Sequence, residues 1–516
     1  MDESIAEYEA DVEDSTSFKE FYPVNPPFGF VGIEKEASGK LKYVITEPTL
    51  DEVGEQILNE IKNTLIDRMD IPLSVLEDES IMREYLNKEI MDVFLKYKKD
   101  VAEESKGKYI YYLMRDFLGY GKIDVIIKDS KIEDISCNGV NTPIYVNHKD
   151  YESLPTNIIY ETEKELNTII TRLAYKAKQQ ISVAHPILEG TLPEGHRAHI
   201  TLDEISKRGD TFTIRKYSEN PLTIIDLINF GTVSIKMASY FWILVENLRS
   251  IMICGATASG KTALLNSICM FINPDKKVVT IEEVRELRLH ENWIPMVTRA
   301  SYRPGVDEIT TFDLLKSALR QRPDIIIVGE VRGEEVYTLF QSIAVGHGGL
   351  CTIHAESIKS LIKRLMSRPM NVPEMMLPLM NVLIQIRRVK IDDKIVRRVV
   401  DTDELIGLPI IRSNRGDEVV EIISRFKWNV EDDTFIENTI DDIDVLLHEG
   451  RDIFSLISEM NHIPIESLIK ERERREIVLG WMVENQISDY DEVIKLIRNY
   501  YRNPDEIYNV ARFGTK

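Results

Sequence analysis

The spacing of apolar positions along the chain changes several times. Val53, Ile57, Ile61 and Leu65 recur at steps of four, which predicts one amphipathic helix. A second helix is predicted over Ile81–Tyr97. Ahead of them, YPVNPPFGFVGI is rich in proline and aromatic residues. Proline steers the residue before it away from helix, so this stretch predicts an extended arm. Residues 21–105 together predict a helical N-terminal unit. Residues 106–225 predict an α/β domain. In KIDVIIKDSKIEDISCNGVNTPIYVNH, short β-branched runs are separated by Asn, Gly and Pro. A helix is predicted over Leu166–Gln179. HRAHITLDEI and TFTIRKYS predict two strands flanking the turn KRGD.

Over residues 226–405 the short apolar runs IMIC, VVTI and DIIIVG, and the weaker CTIH, alternate with helical stretches. Continuous apolar strands separated by helices predict a parallel sheet covered on both faces. Residues 406–516 predict a mainly helical region through the amphipathic segments IVLGWMVENQI, DEVIKLIRNYY and DEIYNVARF. The predicted fold class is α/β: a parallel-sheet domain, preceded by a smaller α/β domain and flanked by helical segments. No apolar run reaches the length of about 18 residues that a spanning helix needs.

Charge adds an asymmetry. The net charge is -22, from 64 Lys and Arg against 86 Asp and Glu. Such a balance disfavours nucleic-acid binding across the whole surface. Residues 1–20 hold eight acids and one lysine, which predicts a mobile acidic tail. The N-terminus lacks the basic-then-apolar pattern of a signal peptide. Cys137, Cys254, Cys269 and Cys351 lie far apart without a C-x-x-C pair. That argues against a local zinc site and a disulfide framework, and for a reducing cytoplasm.

The strongest chemical signal is Gly255-Ala256-Thr257-Ala258-Ser259-Gly260-Lys261-Thr262, which matches G-x-x-x-x-G-K-[ST]. By average composition a chance match arises in about 2% of chains of this length. A predicted strand before the loop and a helix after it lower that further. Such a loop turns backbone N–H groups toward phosphate oxygens. Lys261 supplies a charge near the β and γ phosphates, and Thr262 a hydroxyl for Mg²⁺. The helix N-terminus faces the anion. Glu330 ends the run Asp324-Ile-Ile-Ile-Val-Gly-Glu330. A strand-end carboxylate can hold Mg²⁺ or orient an attacking water. Glu282, Glu283 and Glu286 follow another predicted strand, in TIEEVRE. At least one of them is expected to assist hydrolysis, as base or water-positioning group. His347 and His354, seven apart in GHGGLCTIH, are candidates to sense a γ-phosphate.

In this order, GATASGKT, TIEEVRE, DIIIVGE and GHGGLCTIH resemble the Walker A loop, Asp box, Walker B strand and His box of the type II and type IV secretion ATPase superfamily. The likeness covers roughly residues 106–400. It implies a RecA-like ATPase domain, ATP and Mg²⁺ as cofactors, and hexameric rings with nucleotide between the two domains. It also implies arginines that complete the pocket. Arg197, Arg208 and Arg215 match the family's arginine-rich segment, and Arg320 and Arg322 match a further pair. PPFGFVGIE, IYYLMRDFLGYGKIDVIIKD, NWIPMVTRAS and WMVENQI are similar to archaeal members, those serving the archaellum or archaeal type IV pili. The four-cysteine zinc insertion usual in bacterial type II members is absent from this sequence.

Two departures stand out. The Asp box normally reads close to I-E-D-T-P-E, and here Glu283 replaces Asp and Arg285 replaces Pro. The phosphate loop carries Ala256 and Ala263 where relatives often have Gly and Thr.

The resemblance implies a cytoplasmic motor at the inner face of the membrane, working on a polytopic platform protein with accessory cytoplasmic proteins. No nucleic-acid partner is expected. Two alternatives are a RecA-like nucleic-acid translocase and a nucleotide-gated scaffold of low turnover. The net charge and the lack of a basic aromatic groove disfavour the translocase, while the altered Asp box favours the scaffold.

Overall fold

The computed structural model describes residues 18–68, 79–96, 105–217, 221–299, 307–391, 394–407, 420–438 and 452–514. The chain divides into two compact units, Met1–Ser218 and Glu219–Lys516.

In the first unit, β1 (Phe18–Asn25), β2 (Gly29–Lys35) and β3 (Leu41–Thr46) form a meander. The stretch expected as an extended arm is thus extended but belongs to a sheet, and strands precede the helices of the expected helical N-terminal unit. Pro26 and Pro27 do not project from a body; with Phe28 they make the turn of a hairpin. The alternation in FGFVGI is masked by its glycines. Most of the acidic tail lies outside the described residues, but Phe18–Glu20 belong to β1, and Glu20 Oε2 accepts a hydrogen bond from Tyr151. Helices α1 (Glu52–Arg68), α2 (Glu79–Lys96) and α3 (Lys106–Phe117) follow. They share a core of Leu58, Ile61, Leu65, Ile90 and Leu113. Val53, although on the helical spacing, faces solvent.

After α4 (Asp124–Lys128), strands β4 (Ile132–Cys137), β5 (Pro143–His148) and β6 (Glu152–Ile159) lead to α5 (Glu163–Lys176). Then come β7 (Ile187–Thr191), β8 (Arg197–Thr201) and β9 (Thr211–Arg215). Among the described residues the sheet runs β1-β2-β3-β6-β5-β4-β9-β8-β7. Helix α5 packs Leu166, Ile170 and Leu173 against this sheet's apolar face.

The second unit opens with α6 (Ile224–Asn229), held by a capping box between Thr223 and Asp226. It continues through α7 (Ile235–Glu246), β10 (Ile251–Gly255), α8 (Lys261–Cys269), β11 (Val278–Glu282), β12 (Trp293–Val297), α9 (Thr311–Arg320) and β13 (Ile325–Val328). Next are α10 (Glu335–Ala344), β14 (Gly348–His354), α11 (Ile358–Met366), β15 (Val382–Ile391) and β16 (Lys394–Gly407). With β17 (Val420–Asn429) and β18 (Thr434–Glu437), the sheet order among the described residues is β12-β11-β13-β14-β10-β15-β16-β17-β18, parallel from β12 to β15 and antiparallel beyond. Both faces are covered: Ile253, Leu264 and Ile384 pack on one, and Met252, Ile326 and Leu361 on the other. That double burial is why β10 and β13 read as unbroken apolar runs. Pro295 sits in β12, at the edge, where a missing N–H costs no ladder bond.

The region after residue 405, expected to be mainly helical, opens with strands before its helices. β17 and β18 extend the sheet first. Then α12 (Ile453–Asn461), α13 (Ile465–Glu484), α14 (Tyr490–Arg502) and α15 (Pro504–Phe513) close the core. Trp242 of α7 stacks on Phe271, with ring centroids 5.0 Å apart, and donates to Tyr501 Oη at 3.0 Å.

Candidate active site

The parallel strands deliver their C-terminal ends to one edge of the sheet. Register sets what meets there: Gly255 lies beside His354, and Val328 beside Cys351. The loop that leaves β10 therefore meets the residue that ends β14, and Glu330 follows one strand further along. Two glycines give the loop its shape. Gly260, with φ +95°, caps α8 in the left-handed region that favours glycine. A Cβ on Gly255 would lie 2.4 Å from Ile386 O and 2.5 Å from Ser259 Oγ, so only glycine allows the loop to turn there.

Lys261 is buried and curls back into the loop. Its Nζ donates to Gly255 O at 3.2 Å and Ala256 O at 2.9 Å, and stands 3.3 Å from His354 Nδ1. On the far side of that ring, Nε2 lies 3.0 Å from Glu330 Oε1, off the line of a hydrogen bond, so Oε1 has no hydrogen-bond partner. Glu330 Oε2 accepts from Arg332 at 2.8 Å, and the same guanidinium reaches Glu283 Oε1 at 3.0 Å. Burial works against the charged form of Glu330. It is outweighed by the Arg332 hydrogen bond and the charges of Arg332, His354 and Lys261, so its pKa is lowered. Burial and Lys261 push the His354 pKa down, partly offset by Glu330, which favours a neutral imidazole.

The three glutamates after β11 separate into distinct roles. Glu283 is exposed and pairs with Arg332. Glu286 donates its backbone N–H to Glu282 Oε1 at 2.9 Å, and Leu287 does the same at 3.0 Å. Glu282 itself is buried against Gly329, with Oε2 unpartnered. Burial raises its pKa to about 7 despite the two N–H donors. Arg285, in the place of the family's proline, lies over the Trp293 ring at 4.8 Å.

Several expected participants stand elsewhere. His347 precedes β14 while His354 ends it, so the two are a strand's length apart, about 20 Å. His347 Nδ1 is 2.7 Å from Pro323 O at the opposite edge of the sheet. The histidine pair is thus corrected: only His354 reaches the loop. Arg320 ends α9, and Arg322 precedes β13. Both lie at that same opposite edge, away from the phosphate loop of their own chain.

The remaining arginines belong to the first unit. Arg197 and Arg215 are direct cross-strand partners on β8 and β9, and Arg197 also meets Glu189 at 3.3 Å. Arg208 sits in the connecting turn at the far end of the hairpin, a strand's length away, about 13 Å. Sequence reading missed Arg332, which lies in no recognisable pattern, and did not separate Glu282 from the other glutamates of TIEEVRE. Only strand order shows that Arg332 bridges two acidic segments.

The residues fit a bound nucleotide. The glycine-shaped cradle, the loop lysine and an acid beyond it suit a phosphate chain, and Ser259 Oγ inside the loop is buried without a partner. Among the described residues no cluster of three or more His, Cys, Asp or Glu could hold a metal by itself.

A parallel sheet with this loop, lysine and strand-end acid defines a P-loop nucleotide-binding protein. The chain belongs to the family described as Type II/IV secretion system protein, whose sequence pattern matches residues 121–415. The uncharacterised protein MJ0900 of Methanocaldococcus jannaschii is 34% identical over 503 residues, covering 93% of this chain and 88% of that one. The uncharacterised protein MJ1287 of the same organism is 46% identical over 211 residues, covering 41% of this chain and 76% of its own. Among solved structures, the VirB11 ATPase of the Brucella suis type IV secretion system, in complex with sulphate, is similar at 25% identity. It covers 54% of this chain and 90% of its own, with a TM-score of 0.28.

Proposed function

We propose that this protein is a Mg²⁺-dependent ATPase motor. Working as a homohexamer, it powers assembly, and in the archaellum rotation, of an archaeal type IV pilus-like filament. The observation that carries the reading is the meeting of Lys261, His354 and Glu330 at the phosphate loop. The archaeal relatives support the branch. Among the described residues no helix is long and apolar enough to cross a membrane. Force on a membrane would then pass through a polytopic platform protein and accessory cytoplasmic proteins, with the motor cytoplasmic at the membrane's inner face.

Chemically, the backbone cradle and Lys261 hold the β and γ phosphates. Thr262 and Glu330 would hold Mg²⁺, which would supply charge neutralisation at the phosphates. Glu330, kept ionised by its neighbours, orients the attacking water and accepts its proton. Neutral His354 stands between lysine and acid, placed to register loss of the γ-phosphate. Arg332 holds Glu330 and Glu283 together, and its release would raise the basicity of Glu330. Arg197, Arg208 and Arg215 would supply further cations by domain or subunit closure.

The test is a pair of substitutions. Lys261→Ala should lose turnover with the fold intact. Glu330→Gln should lower the hydrolysis rate by about two orders of magnitude or more while ATP still binds. Wild-type turnover in both variants would reject the site.

A further inference from the structure

Resting on that nucleotide-site reading, we propose that Arg397 is a nucleotide-binding residue of the same chain, contacting the phosphates on the side away from the bond that is cleaved. The β15–β16 hairpin places it there. β10 pairs with β15 up to Cys254 and Gln385. At that point β10 gives way to the phosphate loop, while β15 runs on to Ile391 and returns as β16. The hairpin thus continues past the sheet edge and forms a wall along the loop.

Ile386 and Arg397 are the wall residues that adjoin the loop glycines. A Cβ on Gly260 would lie 3.0 Å from Arg397 Cδ, 3.5 Å from Ile386 Cδ1 and 3.6 Å from Arg397 Nε. The aliphatic arm of Arg397 therefore lies over the glycine that caps α8, and its guanidinium begins beside the N-terminus of that helix. This gives Gly260 a second reason to lack a side chain, besides its positive φ.

The charge arrangement asks for an anion. Arg397 is the direct cross-strand partner of Arg388, and like charges placed opposite each other destabilise a sheet. Two nearby arginines have their charges matched, while Arg387 donates only to the Glu356 backbone carbonyl. Arg398 is buried and makes a two-pronged pair with Asp433, at 2.7 and 2.8 Å. Arg425 meets Glu404 and Asp452. Arg397 has no ion-pair partner among the described residues, and it is only partly buried. A guanidinium fork suits phosphate oxygens.

Strand order says which phosphates. The sequence β13-β14-β10-β15-β16 puts Glu330 and His354 on one flank of the loop and Arg397 on the other. Arg397 therefore meets the part of the nucleotide that ATP and ADP share. Its contribution is to affinity for both, in contrast to the acid and lysine, which act on the γ-phosphate.

The experiment compares the full-length wild type with Arg397→Met, which keeps the arm over Gly260 and removes the charge. Binding of ADP and of the non-hydrolysable analogue AMP-PNP is measured by calorimetry with Mg²⁺, and melting is measured without nucleotide. The expected result is a loss of about tenfold or more in affinity for both ligands, the worth of a charge-assisted contact, with nucleotide-free melting unchanged. Equal affinities in the two proteins would overturn the proposal. A loss confined to AMP-PNP would overturn it too, by placing Arg397 at the γ-phosphate. A lowered nucleotide-free melting temperature would assign it a structural role instead. If the wild type itself bound neither ligand, the nucleotide-site reading would fall and this inference with it.

Discussion

Replacing Glu282 by Gln is the sharpest test of how the site is buried. Glu282 is 4% exposed, and its Oε1 accepts two backbone N–H groups while Oε2 has no partner. Its pKa is pushed from the ordinary 4.5 to about 7 by burial. The sign follows from linkage. The folded state keeps a proton that the unfolded chain has released, so stability is full below pH 4.5 and is lost as pH rises through about 7. At about 1.4 kcal/mol for each tenfold change in proton affinity, the whole loss is about 3 kcal/mol. Gln has the shape of the protonated acid and cannot ionise, so its own cost does not vary with pH. Between pH 5 and pH 8 the variant should gain on wild type by about 2 kcal/mol. In a unit of this size that is about 4 °C in melting temperature. The assay is a melting series of both proteins without nucleotide. A constant gap across the pH range would refute the burial argument, and a gap that widened toward acid would reverse its sign.

Two further substitutions probe the frame around the site. Arg425→Met leaves Glu404 and Asp452 buried without their shared cation, which should cost about 3–5 kcal/mol; the deficit in melting temperature should shrink toward acid pH as the carboxylates protonate. Gly255→Ala forces a Cβ to within 2.4 Å of Ile386 O, so nucleotide binding by calorimetry should fall well below wild type; unchanged affinity would show that the loop can shift at no cost.

What the sequence determined by itself is local. The phosphate loop depends on contiguous residues, because glycines at 255 and 260 set the backbone path and the following helix sets the direction of its N–H groups. The apolar strands are equally plain, since burial on both faces leaves few polar positions within them. The hairpin β8–β9 and its turn were also legible from alternation and KRGD. Other features depended on strand order and register, which no local pattern carries. His347 and His354 look like a pair on paper, yet a strand between them sends one to each edge of the sheet. Arg320 and Arg322 precede a strand whose far end bears the acid, so they stand at the opposite edge from it despite their nearness in sequence. Arg332 and Arg397 gained their places because separate segments converge: one bridges Glu330 and Glu283, and the other crosses a hairpin to the phosphate loop. Glu282 differs from its neighbour Glu283 only by the alternation of a strand end, which turns one carboxylate into the core and the other to solvent. A charge has no fixed meaning along a chain; its partner and its exposure are decided when distant strands are set side by side.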